Sequence, residues 1–159
     1  MDINPYRSGE QVLIQVPVAS ATVIDKGDQV ALSAGKAVPL DSTYDTSSAA
    51  AAIADAGSNA FLGIAMDASA SGDTDAIKVD ISTSAIYEFD LYAAAAVSVG
   101  DMMTFYAGVS GDNMTAQTIT ADTTASFATC VVVEEHSSAA GTPTKVKMLE
   151  QRILSTLLT

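Results

Sequence analysis

Two neighbouring stretches decide the fold: Ile77-Lys-Val-Asp-Ile-Ser82 and Tyr87-Glu-Phe-Asp-Leu-Tyr92. In the first, Ile77, Val79 and Ile81 alternate with Lys78, Asp80 and Ser82. In the second, Tyr87, Phe89 and Leu91 alternate with Glu88, Asp90 and Tyr92. A period of two puts apolar side chains on one face of an extended chain and polar ones on the other, so both read as half-buried strands.

The same pattern extends outward. Val12, Ile14, Val16 and Val18 alternate with polar residues, with Leu13 as the exception. Pro17 cannot donate to a ladder, which predicts an edge position or a strand end there. Lys26-Gly27-Asp28 and Ala34-Gly35-Lys36 read as turns around an apolar segment ending at Leu32, and the second leads into Ala37-Val38-Pro39. Phe61–Met66 is a continuous apolar run, expected as a strand buried on both faces. Met102–Tyr106, Phe127–Val133 and Thr144–Met148 follow as strands. Asp41–Asn59 is rich in Ser, Thr, Ala and Asp. Its Ala49–Ala52 run reads either as one or two helical turns or as surface loop. The tail places Leu149, Ile153 and Leu157 at helical spacing, and either a last helical turn or an extended tail fits.

Short strands separated by Gly and Asp turns predict an all-β fold, a small sandwich or β-tulip-like barrel with at most short helical turns. The expected organisation is an extended arm and first edge strand over 1–17, then a single β-domain over 18–159. That domain reads either as one unit in which Gly-Asp turns recur by chance or as two weakly repeated units of about 20–92 and 93–150. Gly27-Asp28 followed by Ala34-Gly35 matches Gly100-Asp101 followed by Ala107-Gly108, an offset of 73 residues.

Composition narrows the function. The chain has 159 residues, 48% of them hydrophobic and 16% charged, the reverse of a disordered segment. Seven Lys+Arg against nineteen Asp+Glu give a net charge of -12, which repels phosphate and argues against nucleic-acid binding. The longest apolar runs, such as Ala93–Val97, are far too short to cross a membrane as a helix. Met1–Glu10 lacks the apolar core of a secretory signal, so the chain is expected to stay in the cytoplasm where it is made, or to leave by a signal-independent route.

Candidate sites are sparse. One cysteine and one histidine exclude a disulfide framework and a Cys/His zinc site. Asp67-Ala-Ser-Ala-Ser-Gly72-Asp73-Thr-Asp75 begins like a calcium loop, but Lys78 stands where a bidentate Glu is needed, so a solvated acidic turn without metal dependence is expected. His136, after Glu134-Glu135, has no recognisable catalytic companion. Cys130 has no basic neighbour to activate it and reads as a small buried hydrophobe. No nucleophile elbow, phosphate loop, dinucleotide fingerprint or zinc-protease motif is present. The expectation is a protein with no catalytic residue, cofactor or metal. Its cations concentrate near the two ends: Arg7 beside Pro5 and Tyr6, and Lys145, Lys147 and Arg152 within eight residues. A contact surface for an acidic partner would look like this.

An N-terminal extended strand, then Gly27-Asp28-Gln-Val30-Ala-Leu32, Gly35-Lys-Ala-Val38-Pro39, a loop, Phe61-Leu-Gly63-Ile64-Ala65 and Gly72-Asp73 before Ile77-Lys-Val79, resembles the capsid cement, or head decoration, proteins of tailed bacteriophages. The resemblance covers roughly residues 10 to 108. It implies a structural virion protein on the capsid exterior, made in the host cytoplasm. It also implies binding to the major capsid protein, and to itself as a homotrimer. The expected contacts are Ile3, Pro5, Tyr6, Arg7, Val12 and Ile14 of the arm, with Lys145, Lys147 and Arg152. A rival reading is a surface or secreted β-module that binds carbohydrate or another protein. The missing signal and the absence of tryptophan weigh against it.

Overall fold

The computed structural model describes residues 5–40, 61–92, 95–106, 115–121, 128–135 and 143–149. The Asp41–Asn59 stretch, His136 and the residues beyond Leu149 lie outside them. Every regular element among the described residues is a strand: β1 (Tyr6–Ser8), β2 (Leu13–Pro17), β3 (Gln29–Ser33), β4 (Lys36–Pro39), β5 (Phe61–Ala65), β6 (Ala76–Asp80), β7 (Ile86–Leu91), β8 (Met102–Tyr106), β9 (Thr115–Ala121), β10 (Cys130–Val132) and β11 (Pro143–Met148). The fold is all-β, as the alternation requires.

The strands form two sheets. One has the order β2-β6-β5-β3-β4. It closes on itself where Val18 bridges Ala37 in parallel and the Ala19 N–H donates to the Ala37 carbonyl at 3.2 Å. The other has the order β1-β7-β11-β10-β8-β9. It also closes, because β9 returns to β7 in parallel through Asp90↔Thr118 and Leu91↔Ile119. There the Tyr92 N–H donates to the Ile119 carbonyl at 3.0 Å. Closure satisfies edges that open sheets would leave unpaired.

The two barrels share one topology. β2, β3, β4, β5 and β6 correspond in order and direction to β7, β8, β9, β10 and β11. Register corresponds as well. Ile14↔Val79 and Ala65↔Val79 match Tyr87↔Val146 and Val132↔Val146. Gln29↔Ile64 and Leu32↔Ala37 match Met102↔Val131 and Phe105↔Ile119. Apart from β1, which joins the second sheet, sheet membership divides the chain between Asp80 and Ile86, and β7 opens the second barrel.

The turn before the second strand of each barrel shows the match in detail. Gly27 and Gly100 both take positive φ, 96° and 95°, a backbone region that glycine enters without a Cβ penalty. Asp28 Oδ2 accepts the Asp25 N–H at 2.9 Å, and Asp101 Oδ2 accepts the Ser98 N–H at 2.8 Å. The Gly27 N–H donates to the Ala65 carbonyl, and the Gly100 N–H to the Val132 carbonyl. The recurring Gly-Asp pair thus builds the same hydrogen-bonded turn twice.

Inside the first barrel lie Val16, Val18, Ile24, Val30, Ala37, Leu62, Ala65, Ile77 and Val79. A larger cluster joins the outward face of that barrel (Ala31, Val38, Leu40, Phe61, Ile64) to the interior of the second, including Tyr87, Phe89, Leu91, Met103, Ile119 and Val146. β5 is buried at all five positions for this reason. Leu62 and Ala65 fill its own barrel, while Phe61 and Ile64 face the other.

Candidate interface

The N-terminal segment is a strand of the chain's own second sheet. Tyr6 pairs with Tyr87 and Ser8 with Ile86. The Glu88 N–H donates to the Pro5 carbonyl at 2.8 Å, and the Tyr6 hydroxyl donates to the Gly9 carbonyl at 2.9 Å. The Tyr6 ring sits edge-on to Tyr87, with centroids 6.2 Å apart. The first strand therefore begins at Tyr6, upstream of the Gln11–Val18 alternation. Pro5 is buried, and Tyr6 packs against the shared core rather than projecting outward.

Arg7 and the C-terminal lysines, 138 or more residues apart in sequence, meet on one surface. Lys145 lies opposite Glu88 in the β7–β11 register, and Arg7 Nη2 contacts Glu88 Oε1 at 2.9 Å. Lys145 Nζ contacts Glu134 Oε2 at 2.6 Å. The hydrogen bond to Glu134, and that carboxylate's charge, push the Lys145 ammonium above its ordinary range. Arg7, Glu88, Lys145 and Glu134 thus alternate in sign across neighbouring strands. Lys147 follows on the same face of β11, two residues along from Lys145, where the period of two returns the side chain to the same side.

Other expected contact residues separate. Ile14 turns inward and packs against the first barrel's core. Val12 is 48% exposed, and its neighbour Leu13, not singled out by the sequence pattern, is 47% exposed. Ile3 and Arg152 lie outside the described residues. The sequence pattern also missed Val99 and Met102, exposed at 64% and 39%. Apolar residues in a strand pattern read as core, and only the neighbours in space reveal that these are not.

The acidic turn is held by backbone bonds. Asp67 Oδ2 accepts the Lys78 N–H at 3.1 Å, and Asp73 Oδ1 accepts the Asp75 N–H at 2.9 Å. Among the described residues, no three acidic, His or Cys side chains converge as a metal site would require. Cys130 is fully buried, and that desolvation pushes its thiol up to about 12.

The sequence matches no protein-family model and no curated protein. Among solved structures, the chain is similar to the N base of the head fiber gp8.5 in bacteriophage phi29. The identity is 13% and the TM-score 0.50, over 87% of this chain and 96% of that one. At this identity the likeness speaks to the fold.

Proposed function

We propose that the chain is a structural component of a tailed-phage head, held on the outside of the capsid as a homotrimer. Its partner would be the major capsid protein, and its role mechanical rather than catalytic. The observation that carries this reading is the likeness in fold to a protein whose name places it at a phage head. The independent resemblance of residues 10 to 108 to capsid cement proteins points the same way. The acidic surface suits a virion exterior, where like charge keeps particles dispersed.

The physical basis is added contact area. A specific protein interface buries about 1,600 Å² in total. A small protein seated across two shell subunits makes their separation cost its own contacts as well, and many copies multiply the effect. The described N-terminal strand is committed to β7 within the chain, so the barrels rather than a free arm would carry that load. The attachment surface under this reading is the outer face that carries Arg7 and Lys145, with Pro5–Ser8 as part of its scaffold.

The test is reconstitution. Heads of the encoding phage, assembled without this chain, are mixed with the purified protein and followed by co-sedimentation and electron cryomicroscopy. Saturable, ordered density on the outer shell is expected. Heads that remain bare at saturating protein would sink the proposal.

A further inference from the structure

The internal repeat leaves one face of the molecule covered in the first barrel and open in the second. In the first barrel, Asp80, Ile64 and Gln29 stand side by side across β6, β5 and β3, joined by the pairs Ile64↔Asp80 and Gln29↔Ile64. All three are 0% exposed, closed off where the first barrel meets the second. The corresponding residues of the second barrel are Lys147, Val131 and Met102, joined by Val131↔Lys147 and Val131↔Met102. These are half-buried or exposed, with Met102 at 39%, and Val99 beside them in the preceding turn stands at 64%.

The receiving end shows the opposite asymmetry. In the second barrel, the start of β7 receives the first: Ala85 and Tyr87 are both 0% exposed and belong to the shared core. Their counterparts at the start of β2 are Val12, which is 48% exposed, and Ile14, which is half-buried. One barrel thus carries an unmatched docking face and the other an unmatched receiving end.

We infer that the face formed by Val99, Met102, Val131 and Lys147 docks onto the Val12–Leu13 end of a second copy of this chain, repeating between molecules the barrel-on-barrel contact made within one. The position that is Gln29 in the covered face is Met102 here, and Lys26 is replaced by Val99, so the open face is the more apolar of the two. Charge favours the same occupant. Lys147 stands where the covered face has Asp80, beside Lys145 and Arg7, whose charges are paired with Glu134 and Glu88. On the approaching end, Glu10 lies two residues before Val12, a local partner for Lys147. Such a contact uses different patches on the two partners, so it closes into a ring when the rotation allows. The inference rests on the homo-oligomer of the proposed function and is independent of the phage head.

The test is sedimentation velocity on the full chain over a wide concentration range. Wild type should associate. Met102→Asp and Val12→Asp should each weaken association about tenfold or more, by placing a charge in the centre of the contact. Mixing the two variants is decisive. Each keeps one intact patch, so the mixture should recover a dimer at concentrations where neither variant alone associates. Circular dichroism and thermal melting show whether the variants fold. If Met102→Asp does not, Met102→Gln, the side chain found at the corresponding position 29, replaces it, with the same direction expected. A wild type that stays monomeric throughout, or variants that associate as wild type does, would overturn the inference. So would variants that associate normally yet no longer bind heads, since the occupant would then be the capsid. Intact association combined with bare heads would leave this interface standing and remove only the phage role.

Discussion

The hydroxyl of Tyr87, near the start of β7, donates to the Oδ2 of Asp80, the last residue of β6, inside the contact between the two barrels. The other carboxylate oxygen accepts the N–H groups of Val12 at 3.1 Å and Ser82 at 2.9 Å. One fully buried carboxylate therefore fixes the entry to β2, the exit from β6 and the first residues of the second barrel. A buried carboxylate is costly to strand without donors, so these three bonds set how the barrels join.

Removing that hydroxyl should loosen the junction without changing the fold. Tyr87→Phe is expected to lose about 2 kcal/mol of stability, because Oδ2 is left buried without its donor. Burial first, and then the hydrogen bond to Asp80 and its charge, push the Tyr87 hydroxyl far above the usual tyrosine range. The folded chain thus keeps a proton that the unfolded chain releases above about pH 10, so stability falls as pH rises past that value. Urea melts across that range should show the gap between wild type and Tyr87→Phe narrowing. A gap that stays constant would mean the hydroxyl is not held by burial.

Gln29 is 0% exposed, and neither its Oε1 nor its Nε2 has a hydrogen-bond partner among the described residues. The corresponding residue of the second barrel is Met102. Gln29→Met should therefore stabilise the chain by about 1 to 2 kcal/mol, since a side chain of similar length replaces two unpaired polar atoms. A thermal melt that falls instead would indicate that the amide contributes bonds the described contacts do not include.

Gly27→Ala and Gly100→Ala should cost similar amounts, about 1 to 2 kcal/mol each, because each forces an L-residue into positive φ. Equal losses by chemical denaturation would support equivalent roles for the two turns. A loss at one position alone would show that only one of them holds its barrel.

Cys130 should be inert in the folded chain. Its thiol is buried and pushed up to about 12, so almost no thiolate is present at neutral pH. Reaction with a thiol-specific reagent should proceed only as fast as the protein opens, and should accelerate with added urea. Rapid labelling of the native protein would contradict the burial of β10.

The sequence by itself determined the class of fold, because a period of two is a local property. Ile77, Val79, Tyr87, Phe89 and Val146 each point inward as their alternation requires, whatever lies across the barrel. The Gly-Asp turns were legible for the same reason, since positive φ at Gly27 and Gly100 is a demand on single residues. β9 was not legible: Ile119 is the only large apolar side chain in Thr115–Ala121, and its strand exists through pairing with β8 and β7. The candidate interface divided in the same way. Cations near both ends could be counted from the sequence, but their meeting across β1, β7 and β11 could not, because strand order is set by long-range pairing. Only the tertiary structure decided that Tyr6 packs on Tyr87, that Asp80 is buried, and that Met102 is exposed while Met103 is buried. Local pattern chooses which side a residue faces, and the partner that covers that side comes from elsewhere in the chain.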